Sequence, residues 1–327
     1  MNAHEVKKVG VFGAGIMGHG IAQIFAQNGY QVALFSRREE TLSEALRKIR
    51  ANLARFVEHG IIQEDATERI ISRIETTTRL EKAASDVDFV VEAVTEDIDV
   101  KRAIFQSLDS ACPRHTILAS NTSGLSITEI ASATKRPERV VGTHFWNPPQ
   151  IIPLVEVIKG DLTSEQTFQA TCELMERVGK IPARVMKDIP GFIGNRIQHA
   201  MYREIFSLLD QKVAAAEDID KVVKLTFGGR LSILGPLTIA DFNGVDLFLQ
   251  VQSHLLKHID RSMEPAGILG EMVEKGYIGI KAGRGFYTWN KEKIEEVTAK
   301  RDNGLIGLFK PHLELPSVTR RGERCRG

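Results

Sequence analysis

Cysteine is scarce: Cys112, Cys172 and Cys325 are the only three in 327 residues, and they lie far apart. That excludes a disulfide framework and a thiolate zinc site, and it points to a reducing compartment, with the cytoplasm as the expectation. Long apolar runs are also missing; none approaches the ~20 residues that a membrane-spanning helix needs. Met1 to Lys8 is polar and has no signal-peptide core. Neither sign of charge dominates, with 43 Lys plus Arg against 42 Asp plus Glu, so the overall balance favours neither nucleic acid nor a membrane as partner. What remains is 43% hydrophobic and 26% charged, ordinary for a chain with a buried core, and the length suggests two domains.

Val9-Gly10-Val11-Phe12 reads as a short apolar strand, Gly13 to Gly18 as a glycine turn, and Ile21, Ala22, Ile24 and Phe25 as the buried face of a helix ended by Asn28-Gly29. Gln31 to Phe35 is a second strand, which completes a βαβ unit. From 38 to 80 the pattern is helical and charged, broken at Gly60, and is read as a helical hairpin inserted into the first domain. Further strands are expected at Val87–Val94, Thr116–Ala119, Arg139–Gly142 and Pro153–Ile158. After Gly191 only helices are expected, at Phe192–Leu209, Ala216–Lys224, Val245–His258 and Ala266–Lys275. The fold class is therefore α/β: a Rossmann-type doubly wound parallel sheet over 1–189, an all-helical domain over 190–290, and a charged, solvated tail over 291–327 that ends in Arg320, Arg321, Arg324 and Arg326.

Gly13-Ala14-Gly15-Ile16-Met17-Gly18 fits G-x-G-x-x-G, a weak pattern alone. Here it follows a strand and opens a helix, the context a dinucleotide-binding turn requires. Gly13 permits the tight turn, Gly15 lets the backbone approach a pyrophosphate, and Gly18 lets helix and strand pack closely. The free N–H groups of Ile16, Met17 and the helix start face the phosphates. The second strand ends in Ser36-Arg37-Arg38 where an acid would hold the ribose hydroxyls of NAD. A serine and arginines suit the extra phosphate of NADP, or the arginines begin a solvated helix and NAD binds regardless.

Four segments, taken together, resemble the L-3-hydroxyacyl-CoA dehydrogenase family, which includes 3-hydroxybutyryl-CoA dehydrogenases. They are Val90 to Glu96 with Lys101, Ser120-Asn121-Thr122-Ser123, His144-Phe145-Trp146-Asn147-Pro148 with Glu156, and Gly191-Phe192-Ile193-Gly194-Asn195-Arg196; Gly279 to Tyr287 also looks familial. The resemblance spans about Lys8 to Trp289. It implies that His144 is the base that removes the hydroxyl proton as hydride leaves for the nicotinamide, a task suited to a pKa near neutral. It implies that Glu156 orients and stabilises His144, as the carboxylate of a protease triad does. Ser123 and Asn195 would steady the reacting oxygen, and Glu96, Lys101 and Asn121 would lie near the nicotinamide and ribose. Taken alone, a histidine beside Trp146 and two prolines reads as a satisfied core residue; but Glu156 lies in an apolar stretch, where a buried acid needs a partner.

In acyl-CoA members of the family, lysines around the hairpin turn help hold CoA; this chain has Glu58-His59-Gly60 there, with Lys48, Arg50 and Arg55 nearby as substitutes. Asn147 to Glu156 and Phe227 to Leu237, with Arg230, look instead like the L-gulonate and carnitine dehydrogenases. An acyl-CoA substrate is expected, a free 3-hydroxy acid is the enzyme alternative, and a non-catalytic cofactor-binding protein is the alternative of another class. His254 and His258 lie one helical turn apart with no third ligand, so no metal is expected. The helical domain and the resemblance imply a homodimer.

Overall fold

The computed structural model describes residues 2–314, so the four terminal arginines of the expected tail lie outside it. Two compact units are present: Met1–Asn195 together with the segment from Lys300 onward (unit 1), and Arg196–Ala299 (unit 2).

In chain order unit 1 contains β1 (Lys8–Phe12), α1 (Gly18–Gln27), β2 (Gln31–Phe35), α2 (Glu39–Glu58), α3 (Ala66–Ile71), β3 (Ile74–Thr77), α4 (Leu80–Ala84) and β4 (Phe89–Glu92). There follow α5 (Ile98–Ala111), β5 (Ile117–Ser120), α6 (Ile127–Ser132), β6 (Val140–Phe145), β7 (Leu154–Ile158), α7 (Glu165–Arg177) and β8 (Ile181–Val185). They form one eight-stranded sheet in the order β3-β2-β1-β4-β5-β6-β7-β8. The first six strands are parallel, β7 runs antiparallel to β6, and β8 is parallel to β7. The order reverses between β1 and β4, which opens a crevice at the carboxyl ends of the strands, where nucleotides bind in such sheets.

Alternation of side chains builds a core on each face. Val9, Val11, Val32, Leu34, Phe89 and Val91 join the α1, α2 and α7 side. Phe12, Ala33, Phe35 and Val90 join the α5 and α6 side. A strand buried on both faces must be apolar at every position, which is why these segments read so clearly.

Three expectations about the sheet and its insertion are corrected. The sheet has two strands more than the sequence suggested. β3 and β8 are edge strands whose residues, apart from the last of each (Thr77 and Val185), are half-buried or exposed, and Pro182 interrupts the second, so neither shows the continuous apolar run of a central strand. The sheet is not wholly parallel, because the connection 146–153 is too short for a crossover and turns the chain back beside β6. The hairpin is present as α2 and α3, broken at Gly60 in the left-handed region (φ 67°), but the segment 38–80 also contains β3.

Unit 2 is helical: α8 (Gly194–Asp210, whose first residues belong to unit 1), α9 (Ala216–Leu225), α10 (Phe227–Leu231), α11 (Pro236–Asn243), α12 (Val245–Leu255) and α13 (Gly267–Glu274). Ile219 is its only buried hydrophobic among the described residues, while Leu225, Ile233, Leu237 and Phe242 are each about 80% exposed. The domain boundary by packing falls after Asn195, a few residues beyond the expected 189.

The charged tail is instead a helix, α14 (Lys291–Leu313). From Lys300 onward it belongs to unit 1, with Ile306 and Leu313 buried in the core that holds Leu53 and Phe56. Asp302 is buried and paired with Arg55 of α2 and with Arg301, while Lys310 Nζ donates to the His59 carbonyl at 2.8 Å. Few apolar side chains at wide spacing hide such a helix from a composition-based reading.

Candidate active site

The glycine turn after β1 lies at the switch point of the sheet. Gly13 has φ 112°, and a Cβ there would lie 2.4 Å from the Ala93 carbonyl oxygen. One on Gly18 would lie 1.6 Å from that of Gly13, so both positions are closed to any side chain. Gly15 differs: nothing lies within 4 Å of its Cβ direction. That space beside exposed N–H groups is the cradle a pyrophosphate needs, so the residues fit a dinucleotide. Ile16 is exposed and Met17 half-buried at the same turn. His19 Nδ1 donates to the Gly15 carbonyl at 2.8 Å, and burial holds this imidazole below its ordinary pKa. Ser36 is half-buried at the end of β2, and Arg37 and Arg38 are exposed after it.

His144 and Glu156 occupy directly opposed positions of β6 and β7. Opposed residues of an antiparallel pair project on the same face. His144 Nδ1 lies 2.7 Å from Glu156 Oε2, with both side chains about 95% or more buried. The other carboxylate oxygen, Oε1, accepts from the backbone N–H groups of Ile193 (3.0 Å) and Gly194 (2.9 Å), where α8 begins. Burial pushes the Glu156 pKa up, but the His144 bond, the two N–H groups and the imidazole charge outweigh it and hold the carboxyl below its ordinary value. Because Glu156 can only accept, Nδ1 carries the proton and Nε2 is left as the acceptor.

Two further side chains shape this pair. The Trp146 ring lies 4.8 Å from that of His144, and Phe192 lies 5.9 Å away on another side. Phe192 is fully buried at φ 50°, a backbone region that costs a non-glycine residue about 1–2 kcal/mol. That turn, begun by Gly191 at φ 76°, delivers the Ile193 and Gly194 N–H groups to Glu156. Gly194 must be small, since a Cβ would lie 2.3 Å from the Trp146 ring.

The remaining candidates join the same network. Asn195 Nδ2 donates to the Ser123 carbonyl at 2.7 Å. The Ser123 N–H donates to Glu96 Oε1 at 2.7 Å, as does Thr122 Oγ1 at 2.6 Å. Ser123, an exposed residue, is thus held by its backbone, with its hydroxyl left for a ligand. Lys101 and Asn121, expected beside the cofactor, are each hydrogen-bonded within the fold. Asn121 Oδ1 accepts the Phe145 N–H at 2.9 Å and so pins the residue after His144. Lys101 is 1% exposed, and its Nζ lies 2.7 Å from Glu92 Oε1 and 3.4 Å from Glu96 Oε2. Glu92, to which the sequence reading assigned no role, is wholly buried at the end of β4. An acid closing the apolar run Phe89-Val90-Val91 was the available signal, since a buried carboxylate demands a partner.

A parallel sheet with a phosphate cradle at its switch point, and a buried His–Glu pair at the same end of the strands, defines a nucleotide-dependent oxidoreductase of the Rossmann class. Family models agree: residues 8–189 match the NAD binding domain of 3-hydroxyacyl-CoA dehydrogenase, and residues 191–289 match its C-terminal domain. The chain belongs to the 3-hydroxyacyl-CoA dehydrogenase family. It is 41% identical to a probable 3-hydroxybutyryl-CoA dehydrogenase of Bacillus subtilis, over 88% of this chain and 99% of the relative. The solved (S)-3-hydroxybutyryl-CoA dehydrogenase of Ralstonia eutropha superposes with TM-score 0.73 at 35% identity, over 88% of this chain and 100% of its own. A second solved structure, 5-formyl-3-hydroxy-2-methylpyridine 4-carboxylic acid 5-dehydrogenase, described as an NAD+ dependent dismutase, superposes with TM-score 0.88 at 30% identity, over 94% of this chain and 98% of its own.

Proposed function

We propose that the chain transfers hydride reversibly between the carbon of a secondary alcohol and a nicotinamide cofactor, with His144 taking and returning the hydroxyl proton. The observation that carries this reading is the His144–Glu156 bond, which leaves Nε2 as the one basic ring nitrogen for a substrate hydroxyl. Glu156, held ionised by two N–H groups, stabilises the imidazolium that forms. Ser123 and Asn195 orient the reacting oxygen. The nicotinamide supplies the carbon that accepts hydride. Ser36 and Arg37 suit either the 2′-phosphate of NADP or the bare ribose of NAD, so the cofactor is NAD or NADP. The substrate that the ~40% identical relatives favour is a 3-hydroxyacyl-CoA.

One observation favours a second reading, a free hydroxy acid. The dehydrogenase of the pyridine carboxylic acid matches this chain over more of its length and with a higher TM-score than the 3-hydroxybutyryl-CoA dehydrogenase, despite lower identity. In addition, the hairpin cations expected to hold CoA are all paired: Lys48 with Glu44, Arg50 with Glu68 and Arg55 with Asp302. The test is oxidation of NADH and NADPH with acetoacetyl-CoA and with acetoacetyl-N-acetylcysteamine, which share the reacting group and differ only in the nucleotide carrier. A kcat/KM that falls about 100-fold or more on truncation supports the CoA substrate; equal values support the free acid. Loss of turnover in His144→Asn supports the base assignment, and wild-type turnover there would sink it.

We also propose that two copies pair through unit 2, whose apolar helices have almost no core of their own. Sedimentation at micromolar concentration checks this; a monomer rejects it. The buried free thiols Cys112 and Cys172 support a reducing compartment such as the cytoplasm.

A further inference from the structure

Among the described residues no hydrogen bond joins the Glu92 side chain to the glycine turn or to the His144–Glu156 pair, yet both its oxygens are engaged. Oε1 accepts from Lys101 Nζ and from the Val94 N–H, each at 2.7 Å, and Oε2 accepts from Ser120 Oγ at 2.6 Å. Lys101 is as deeply buried as Glu92, so neither charge has water to turn to. Beyond Lys101, at 3.4 Å, stands Glu96, whose other oxygen holds the Ser123 N–H and the Thr122 hydroxyl. One buried ammonium thus lies between two carboxylates, close to the first and further from the second.

That asymmetry has a mechanical result. While Glu92 satisfies Lys101, Glu96 is free to point its Oε1 at Ser123. Without the Glu92 charge, the buried ammonium must draw on Glu96, the other carboxylate that pairs with it among the described residues, because an uncompensated buried charge is far costlier than a displaced surface one. Glu96 then leaves Ser123.

We infer that Glu92 is a positioning residue for Ser123, acting through Lys101 and Glu96, a role that rests on the dehydrogenase reading of the site. In Glu92→Gln the amide oxygen still accepts the Val94 N–H, so the segment beside the glycine turn stays in place. The amide cannot neutralise Lys101.

A double-mutant cycle with Ser123→Ala tests this. Glu92→Gln lowers kcat about tenfold or more in the wild-type background and less than about twofold in the Ser123→Ala background. Equal losses in the two backgrounds, or none in either, overturn the inference. Amide exchange gives a readout independent of turnover. In Glu92→Gln the Ser123 N–H exchanges about tenfold faster or more, while the Phe145 N–H, held by Asn121, keeps its rate. Unchanged exchange at Ser123 overturns the inference even if activity falls. If Ser123→Ala alone has wild-type kcat while the Ser123 amide still responds, the positioning stands and it is the role of Ser123 in the reaction that fails. Should Glu92→Gln not fold, Glu92→Asp, whose side chain is one methylene shorter and so withdraws the charge from Lys101 Nζ, is carried through the same exchange measurement. There too, faster exchange at Ser123 alone supports the inference, and an unchanged rate overturns it.

Discussion

His144 and Glu156 are twelve residues apart in the chain and face each other across β6 and β7, Nδ1 to Oε2 at 2.7 Å. The antiparallel turn-back of β7 makes this possible. A parallel crossover would have placed the same carboxylate in another register. The Ile193 and Gly194 N–H groups, with the His144 bond, then hold its carboxyl below the ordinary pKa in a nearly dry site.

Because the folded-state pKa of Glu156 is depressed, its contribution to stability is present above the ordinary carboxyl value and is lost as pH falls through the folded value. Glu156→Gln lacks that titration. The difference in urea midpoint between wild type and Glu156→Gln is therefore expected to narrow as pH is lowered from about 6 to about 3. A constant difference would show that the carboxylate is not held ionised.

Gly15 and Gly18 separate binding from folding. A side chain at Gly15 enters open space, so Gly15→Val keeps the wild-type Tm but blocks the cradle, and cofactor Kd rises by an order of magnitude or more. A Cβ at Gly18 collides with the Gly13 carbonyl, so Gly18→Ala lowers Tm itself. Thermal unfolding with and without NADH distinguishes the two. A stable Gly18→Ala with normal affinity would contradict the turn geometry.

Lys180 is buried before β8 and donates to the carbonyls of Pro149 and Ile152, each at 2.7 Å. Burial pushes its ammonium down to about 7. Between that value and the ordinary lysine pKa the unfolded chain binds more protons, so wild-type stability gains from this group as pH rises through the window, and the full cost of burying the charge remains below it. Lys180→Met should show a shallower rise in urea midpoint from about pH 7 to 10. A slope equal to the wild type would mean that the two carbonyls keep the group charged throughout.

Ile306 of α14 is fully buried against the hairpin core. Truncation to Ala should cost about 2–5 kcal/mol by denaturant unfolding, the range for large aliphatic side chains in a packed interior. A loss below ~0.5 kcal/mol, as for a surface residue, would return this segment to the status of a solvated tail.

The central strands, the glycine turn, the hairpin and the helical second unit were legible in the residues themselves, because burial on two faces, φ above zero and helical periodicity each leave a local mark. His144, Glu156, Ser123 and Asn195 stand in the segments that carry the family resemblance, and the structure joins them by hydrogen bonds running through Gly194 and Asn195. What tertiary structure alone decided were the relations between distant segments. β3 and β8 became strands only by pairing with a neighbour, and α14 joins the sheet-bearing unit through contacts such as Asp302 on Arg55 and Ile306 in its core. Likewise, Lys101 was drawn to Glu92 rather than outward. Local propensity acts within a few residues. Edge pairing, the docking of a sparsely apolar helix and the partner of a buried charge are set by groups tens or hundreds of residues away, and the chain specifies them only when it is folded.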